Sequence, residues 1–202
     1  MRDIASEFDT IEKTKYQIGG PAFFSRSHKK TREWQVLGVA QNILREQGFD
    51  YPVYAKEHEE PDFIAYRDDS SIWSPIEIVE ILPPGYKRQD YHKKLEQRKQ
   101  PQFLNRIEYL DEPFAPLREQ ITKKSLKPYA GDTTLIVYYD IGTLYIEAAH
   151  LPFEKLITDE HSRQPLEHIN TFKRVLVLNA SLDALLEIYP SWIVIKSDAN
   201  AV

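Results

Sequence analysis

Glu60-Pro61-Asp62-Phe63-Ile64-Ala65-Tyr66 and Pro75-Ile76-Glu77-Ile78-Val79-Glu80-Ile81-Leu82 are two apolar runs divided by Arg67-Asp68-Asp69-Ser70-Ser71. The divider has the composition of a hairpin loop, so the runs are read as neighbouring strands. Alternation along the second run sends Glu77, Val79 and Ile81 to one face and Ile76, Ile78, Glu80 and Leu82 to the other. Both faces are largely apolar, the pattern of a central strand covered on both sides by helices. Asp62 opens the first run and Glu77 lies inside the second. Carboxylates are almost never fully buried unless paired or bound to metal, so two acids here need a reason. Strand-entry chemistry after a proline would explain Asp62 without any function. Inward charge guarding a sheet edge would explain Glu77 and Glu80 in the same way.

Upstream of the pair, residues 1–24 show weak periodicity and a Gly19-Gly20-Pro21 break, and are read as an irregular arm. Arg26, His28, Lys29, Lys30 and Arg32 follow as a basic cluster, either a solvated approach to a helix or a set of phosphate contacts. After Thr31, the stretch Glu33 to Glu46 carries Trp34, Leu37, Gln41 and Leu44 on one side, widened by Val36, Ala40 and Ile43: an amphipathic helix. Gly48 ends it as a C-terminal cap. Glu33 borders the buried face in the first turn, where an acid suits the helix dipole. A ligand role is the alternative for it. Tyr51, Val53 and Tyr54 mark a short strand before the acidic link Glu57 to Glu60.

Downstream, Pro83-Pro84-Gly85 stops the central strand. Asp90 caps a helix to about Lys99, and Lys87, Arg88, His92, Lys93, Lys94, Arg98 and Lys99 make this the most basic stretch of the chain. It is either a solvent-facing helix or one wall of a polyanion channel. Pro116 starts a helix with Leu117, Ile121 and Leu126 on its inner side and Lys123, Lys124 and Lys127 crowding its C-terminal end, where they favour the dipole. Thr133 to Ile141, Thr143 to Ala148 and Phe172 to Leu178 read as strands. Ser181 is read as the cap of a helix through Leu182, Leu185, Leu186 and Ile188, with Pro190 ending it. Trp192 to Ile195 is a last strand, and 197–202 a loose tail. The order implies a single α/β (α+β) domain over residues 1–202, a mixed central sheet flanked by helices.

Composition narrows the function. At 202 residues the chain can bury a real core, and it contains no cysteine. Disulfide scaffolds and thiolate metal sites are therefore excluded, and a reducing cytoplasm is the expected compartment. No apolar run has the length of a membrane span, and residues 1–16 lack the apolar core of a signal peptide. The net charge of −5 argues against a general basic coat but permits a local basic groove. There is no glycine-rich phosphate loop in a strand–helix setting.

Asp62 and Glu77 on adjacent strands have the chemistry to bind a divalent cation. Mg²⁺ (or Mn²⁺) takes oxygen ligands: one or two carboxylates, water and substrate phosphate. The carbonyl of Ile78 is a further candidate ligand. Such a metal neutralises a scissile phosphate and lowers the pKa of a bound water. The basic helix next in sequence would hold a polyanion through its phosphates.

Pro61-Asp62, an apolar strand, a variable turn and Glu77-Ile78-Val79 together resemble the core of the PD-(D/E)XK nuclease superfamily. The resemblance runs from about Thr31 to Lys99 and is topological beyond that. It implies a restriction-endonuclease-like core and a hydrolase cleaving DNA or RNA, with Asp62 and Glu77 as metal ligands and Glu33 as an auxiliary one. The motif lysine is the departure, since this chain has Val79 there. Lys56, Lys87, Lys93 and Lys94 are the candidates to replace it, with Lys87 and Lys94 preferred as catalytic because they follow the acidic strand. Nucleic-acid contacts are expected from Lys29, Lys30, Arg32, Lys87, Arg88, Lys93, Lys94 and Arg98. A homodimer is allowed by fold analogy. Loss of the lysine also admits a catalytically inactive module on the same fold, binding nucleic acid or a protein.

Overall fold

The computed structural model describes residues 1–18, 28–81, 115–128, 131–139, 169–179 and 184–196. They form one eight-stranded mixed sheet with three helices, an α/β fold. In chain order the elements are β1 (Arg2–Asp3), α1 (Ile4–Ile18), α2 (Lys29–Glu46), β2 (Tyr54–Glu57), β3 (Phe63–Tyr66), β4 (Ile72–Ile81), α3 (Ala115–Ser125), β5 (Thr134–Tyr139), β6 (Arg174–Asn179), β7 (Ala184–Tyr189) and β8 (Ile193–Lys196). The strands lie side by side in sequence order. β4–β5 and β5–β6 are parallel and every other neighbouring pair is antiparallel.

β4 is a central strand, as its two apolar faces require. Its Ile76 and Ile78 join Phe63, Ile136, Tyr138, Leu176 and Leu178 in a core that α1 and α2 cover with Ile4, Ile11, Trp34, Leu37, Ile43 and Leu44. On the other face Val79 and Ile81 pack with Leu135, Val137, Val175 and Val177 beneath Leu117 and Ile121 of α3. Parallel strands of this kind are covered on both sides, which is why β5 and β6 read as unbroken apolar runs. The β3–β4 hairpin forms around Arg67–Ser71, with Arg67 N–H donating to Ser71 O at 2.9 Å. Asp68 Oδ1 accepts from the N–H groups of Ser70 and Ser71, both at 2.8 Å, and so closes the loop.

α2 begins at Lys29, earlier than the stripe from Glu33 suggests, and stops as expected at Gly48, whose φ is +74°. Gly48 N–H donates to Arg45 O and Phe49 N–H to Leu44 O, the two bonds of a Schellman cap, and Phe49 packs on the core.

Two expectations are corrected. Residues 4–18 are not an irregular arm but helix α1. Asp3 Oδ1 caps it by accepting from Ser6 N–H at 2.7 Å, and Ile4, Phe8 and Ile11 supply an inward stripe at helical spacing. Residues 184–189 are not a helix but strand β7, because β6 and β8 flank it and the two cores divide its Leu185 from its Leu186 and Ile188. Leucines three and four apart suit a helix, but a short apolar run is settled by what surrounds it. The proposed basic helix at 90–99, the strand at 143–148, the preceding residues 19–24 and the tail 197–202 lie outside the described residues. Among the described residues no helix is long and apolar enough to cross a membrane.

Candidate functional site: a buried acid cluster rimmed by lysines

Three acids reach the interior where α2, the entry to β3 and the middle of β4 meet. Glu33 is 3%, Asp62 4% and Glu77 3% exposed. Phe63 pairs with Ile76 in the antiparallel β3–β4 ladder, so one step further along the ladder sets Asp62 beside Glu77. Asp62 has a structural task there. Its Oδ2 accepts the N–H of Ile78 at 2.9 Å, standing in for the backbone acceptor that β3 no longer supplies beyond Phe63. The strand-entry explanation for Asp62 therefore holds as far as Oδ2 is concerned. It leaves Oδ1 facing the lysines.

Glu33 sits in the second turn of α2, on the buried side. Lys29 and Lys30 are four and three residues before it, within reach of one helix face. Lys29 Nζ lies 2.8 Å from Glu33 Oε1 and Lys30 Nζ 2.9 Å from Glu33 Oε2. The same two ammoniums approach Asp62 Oδ1, at 3.7 and 3.2 Å. Glu33 and Asp62 are thus tied into one cluster through shared cations. Burial alone would push both lysines down. The hydrogen bond and charge of Glu33, with the charge of Asp62, outweigh it and hold both above the ordinary lysine value.

Glu77 is met from the opposite face of the sheet. Lys124, near the C-terminal end of α3, forms an ion pair with its Oε1. Glu77 Oε2 is buried and has no hydrogen-bond partner. Val79, two residues along the same face, packs into the α3 core in place of the lysine that the motif would put there. The basic residue at Glu77 therefore arrives from α3. The sequence carries its signal: Leu117, Ile121 and Lys124 form one helical stripe, and the first two members are buried. A lysine continuing that stripe faces the sheet. Nearby, Lys127 pairs with exposed Glu60, which holds the Lys127 ammonium above its ordinary value.

Of the expected site residues, Glu33, Asp62, Lys29 and Lys30 are joined by ion pairs and Ile78 by its N–H to Asp62, while Glu77, next to Asp62 along the ladder, pairs with Lys124 from the other face. Arg32 is half-buried on the same helix. Lys56 is exposed on β2, where its backbone pairs with Ile64. Lys87, Arg88, Lys93, Lys94 and Arg98 lie outside the described residues. His58 contributes its backbone: its N–H donates to Asp62 O and its carbonyl accepts from Lys30. An open cleft of about 480 Å³, lined by Lys30, Glu57, His58 and Glu59, borders the cluster.

The donor set fits a hard dication in kind. Carboxylate oxygens and a carbonyl are what Mg²⁺ takes, and a buried oxygen left without a partner, Glu77 Oε2, is what a missing cation would leave behind. Among the described residues no group of three or more His, Cys, Asp or Glu is gathered closely enough to hold a metal. Mg²⁺ sites commonly use only one or two carboxylates. No family model matches the chain, and no curated protein or solved structure matches it.

Proposed function

We propose that the chain is a metal-dependent nuclease that hydrolyses phosphodiester bonds of DNA or RNA, with Asp62 and Glu77 holding Mg²⁺ or Mn²⁺. The observation that carries this reading is the meeting of two buried acids on adjoining strands with lysines from two different helices, one of the acids keeping an unpartnered oxygen. Glu33 is the auxiliary acid, one carboxylate away through Lys29 and Lys30. When bound, the metal supplies charge neutralisation at the scissile phosphate and an acidified water. The chain's own groups supply the rest. Lys124 stands at Glu77 as a fixed point charge, the part for which Val79 is unsuited. Lys29 and Lys30, with side chains 63% and 40% exposed, reach solvent and can take phosphate oxygens. The fold and the location of the acids are consistent with a restriction-endonuclease-like core.

The test is a titration of Mg²⁺ and of Mn²⁺ against labelled single- and double-stranded DNA and RNA. Cleavage is expected to require the dication and to disappear in Asp62→Ala and in Glu77→Ala. Cleavage unchanged in both variants would sink the assignment.

A second reading has its own support. Each of the three acids already has a lysine partner, so the cluster is electrically settled without metal. On that basis the chain is a binding module that has lost chemistry, holding nucleic acid through Lys29 and Lys30. Binding that weakens steeply with salt, with no cleavage under any dication, would select it.

A further inference from the structure

The ammonium of Lys30 sits in a nest of oxygens. Glu33 Oε2 is 2.9 Å away, Asp62 Oδ1 3.2 Å, and the carbonyls of His58 and Asp62 are each 3.4 Å away. An ammonium has three protons to give, so four acceptors share them, and the two carbonyls lie beyond the usual N–H···O distance. The ring of Phe63, 5.2 Å from the same nitrogen, adds a face that favours positive charge. Two carboxylates and two backbone carbonyls converging on one point make a cation position by their chemistry. What fills it is a side chain rooted in the first turn of α2. Lys29 supports it from the other oxygen of Glu33. The fit is loose and the exit is open, because Lys30 borders the cleft formed with Glu57, His58 and Glu59.

We propose that Lys30 is a tethered counter-cation, holding the oxygen-lined position beside Asp62 until a divalent ion displaces it. The inference rests on the nuclease reading and deepens it: at this position Asp62 is joined by Glu33, the auxiliary acid, and by two carbonyls. Metal affinity becomes a contest between the ion and the chain's own ammonium. A dication brings twice the charge to the same carboxylates, and neither Glu33 nor Asp62 is left buried and uncompensated during the exchange. The displaced ammonium then lies in the cleft, beside the ion and free for a phosphate oxygen. Loading the metal and exposing a phosphate-binding group are thereby one event.

Calorimetric titration of Mn²⁺ into the full chain, without substrate, tests this. Lys30→Gln is expected to bind Mn²⁺ about tenfold more tightly than the unaltered chain, the scale of one charge-assisted hydrogen bond. Lys127→Gln removes the same charge from a residue that senses Asp62 and Glu77 only through space, and is expected to stay within about twofold. Asp62→Asn should lose the binding. Should Lys30→Gln fail to fold, the comparison moves to Lys30→Gln/Glu33→Gln against Glu33→Gln, where the same tenfold gain is expected. Binding that depends on Asp62 but is unchanged or weakened in Lys30→Gln overturns the counter-cation and leaves the nuclease reading standing. Equal gains in Lys30→Gln and Lys127→Gln also overturn it, since bulk charge would then suffice. No saturable Mn²⁺ binding in any form overturns both.

Discussion

Glu33, Asp62 and Glu77 at one place in the fold, and Asp50 with Arg67 at another, are both acids paired with bases, arranged in opposite ways. In the first region the acids are buried and two of the bases, Lys29 and Lys30, have side chains 63% and 40% exposed. In the second, Asp50 and Arg67 are both on the surface, 58% and 46% exposed, and meet through two hydrogen bonds of 3.1 and 2.8 Å. Asp50 Oδ2 also accepts from Trp73 Nε1–H at 2.9 Å. The Arg67 hydrogen bonds outweigh partial burial and hold the Asp50 carboxyl below its usual range. Asp50 closes a loop onto the sheet, and its strongest partners are already committed. The buried acids have a different economy: their position is fixed by packing, while Lys29 and Lys30, the partners of Glu33 and Asp62, are long side chains that reach solvent. A fixed acid with a removable base suits exchange of one cation for another. A surface fork-to-carboxylate pair suits fastening.

The contrast is broken most severely through Glu77. If the buried region performs chemistry, Glu77→Gln should reduce dication-dependent cleavage on the order of a thousandfold. Asp50→Asn should change it less than about twofold, as read by initial rates on the same substrate. Comparable losses in the two variants would erase the distinction.

Stability should separate the regions next. Lys124→Met strips the ion-pair partner from Glu77, and an unpaired buried carboxylate costs about 3 kcal/mol. Denaturant melts should recover much of that in Lys124→Met/Glu77→Gln, which removes the stranded charge. Arg67→Gln, at an exposed pair, should shift the melt far less than Lys124→Met does. The buried region also stands on α2, which α1 approaches closely. A Cβ at Gly38 would lie 2.6 Å from Cβ of Phe8, part of the side chain that cannot swing aside. Gly38→Ala is expected to cost about 2 kcal/mol through that clash. A melt at the unaltered midpoint would show that the helices part freely.

How these parts stand to the sequence differs with the distance over which each is encoded. The β3–β4 hairpin, the central position of β4 and the Gly48 cap are local patterns, and all were legible. So was the nearness of Asp62 and Glu77, because a hairpin makes neighbours of residues fifteen apart. Helix α1 was written in Asp3, Ile4, Phe8 and Ile11, but only a short stretch with few apolar residues carried it. The leucine spacing of β7 suits a helix, and strand pairing with β6 and β8 overrides it. Lys124 meets Glu77 across 47 residues of chain. No local pattern encodes that contact, and the Leu117–Ile121–Lys124 stripe tells only that the lysine faces inward.

The smallest expected effect lies in the surface region and comes from Asp68, in the loop that follows Arg67. Its carboxylate accepts the N–H of Ser70 first, then the Ser70 hydroxyl and the N–H of Ser71, and these bonds lower its pKa from 3.8 to about 2. The unfolded chain has no such donors in place, so there the group titrates near its ordinary value. Its folded pKa is the depressed one. The stability it contributes is therefore complete above pH 3.8, declines as pH falls from there towards about 2, and is gone below. Asp68→Asn keeps an acceptor oxygen for the loop but has no proton to take up. Melting temperatures from pH 5 down to pH 2 should show the unaltered chain ahead at the upper end and the two curves converging at the lower. A gap that stays constant with pH would mean that Asp68 acts on this loop through shape alone, and its charge would drop out of the account of the surface region.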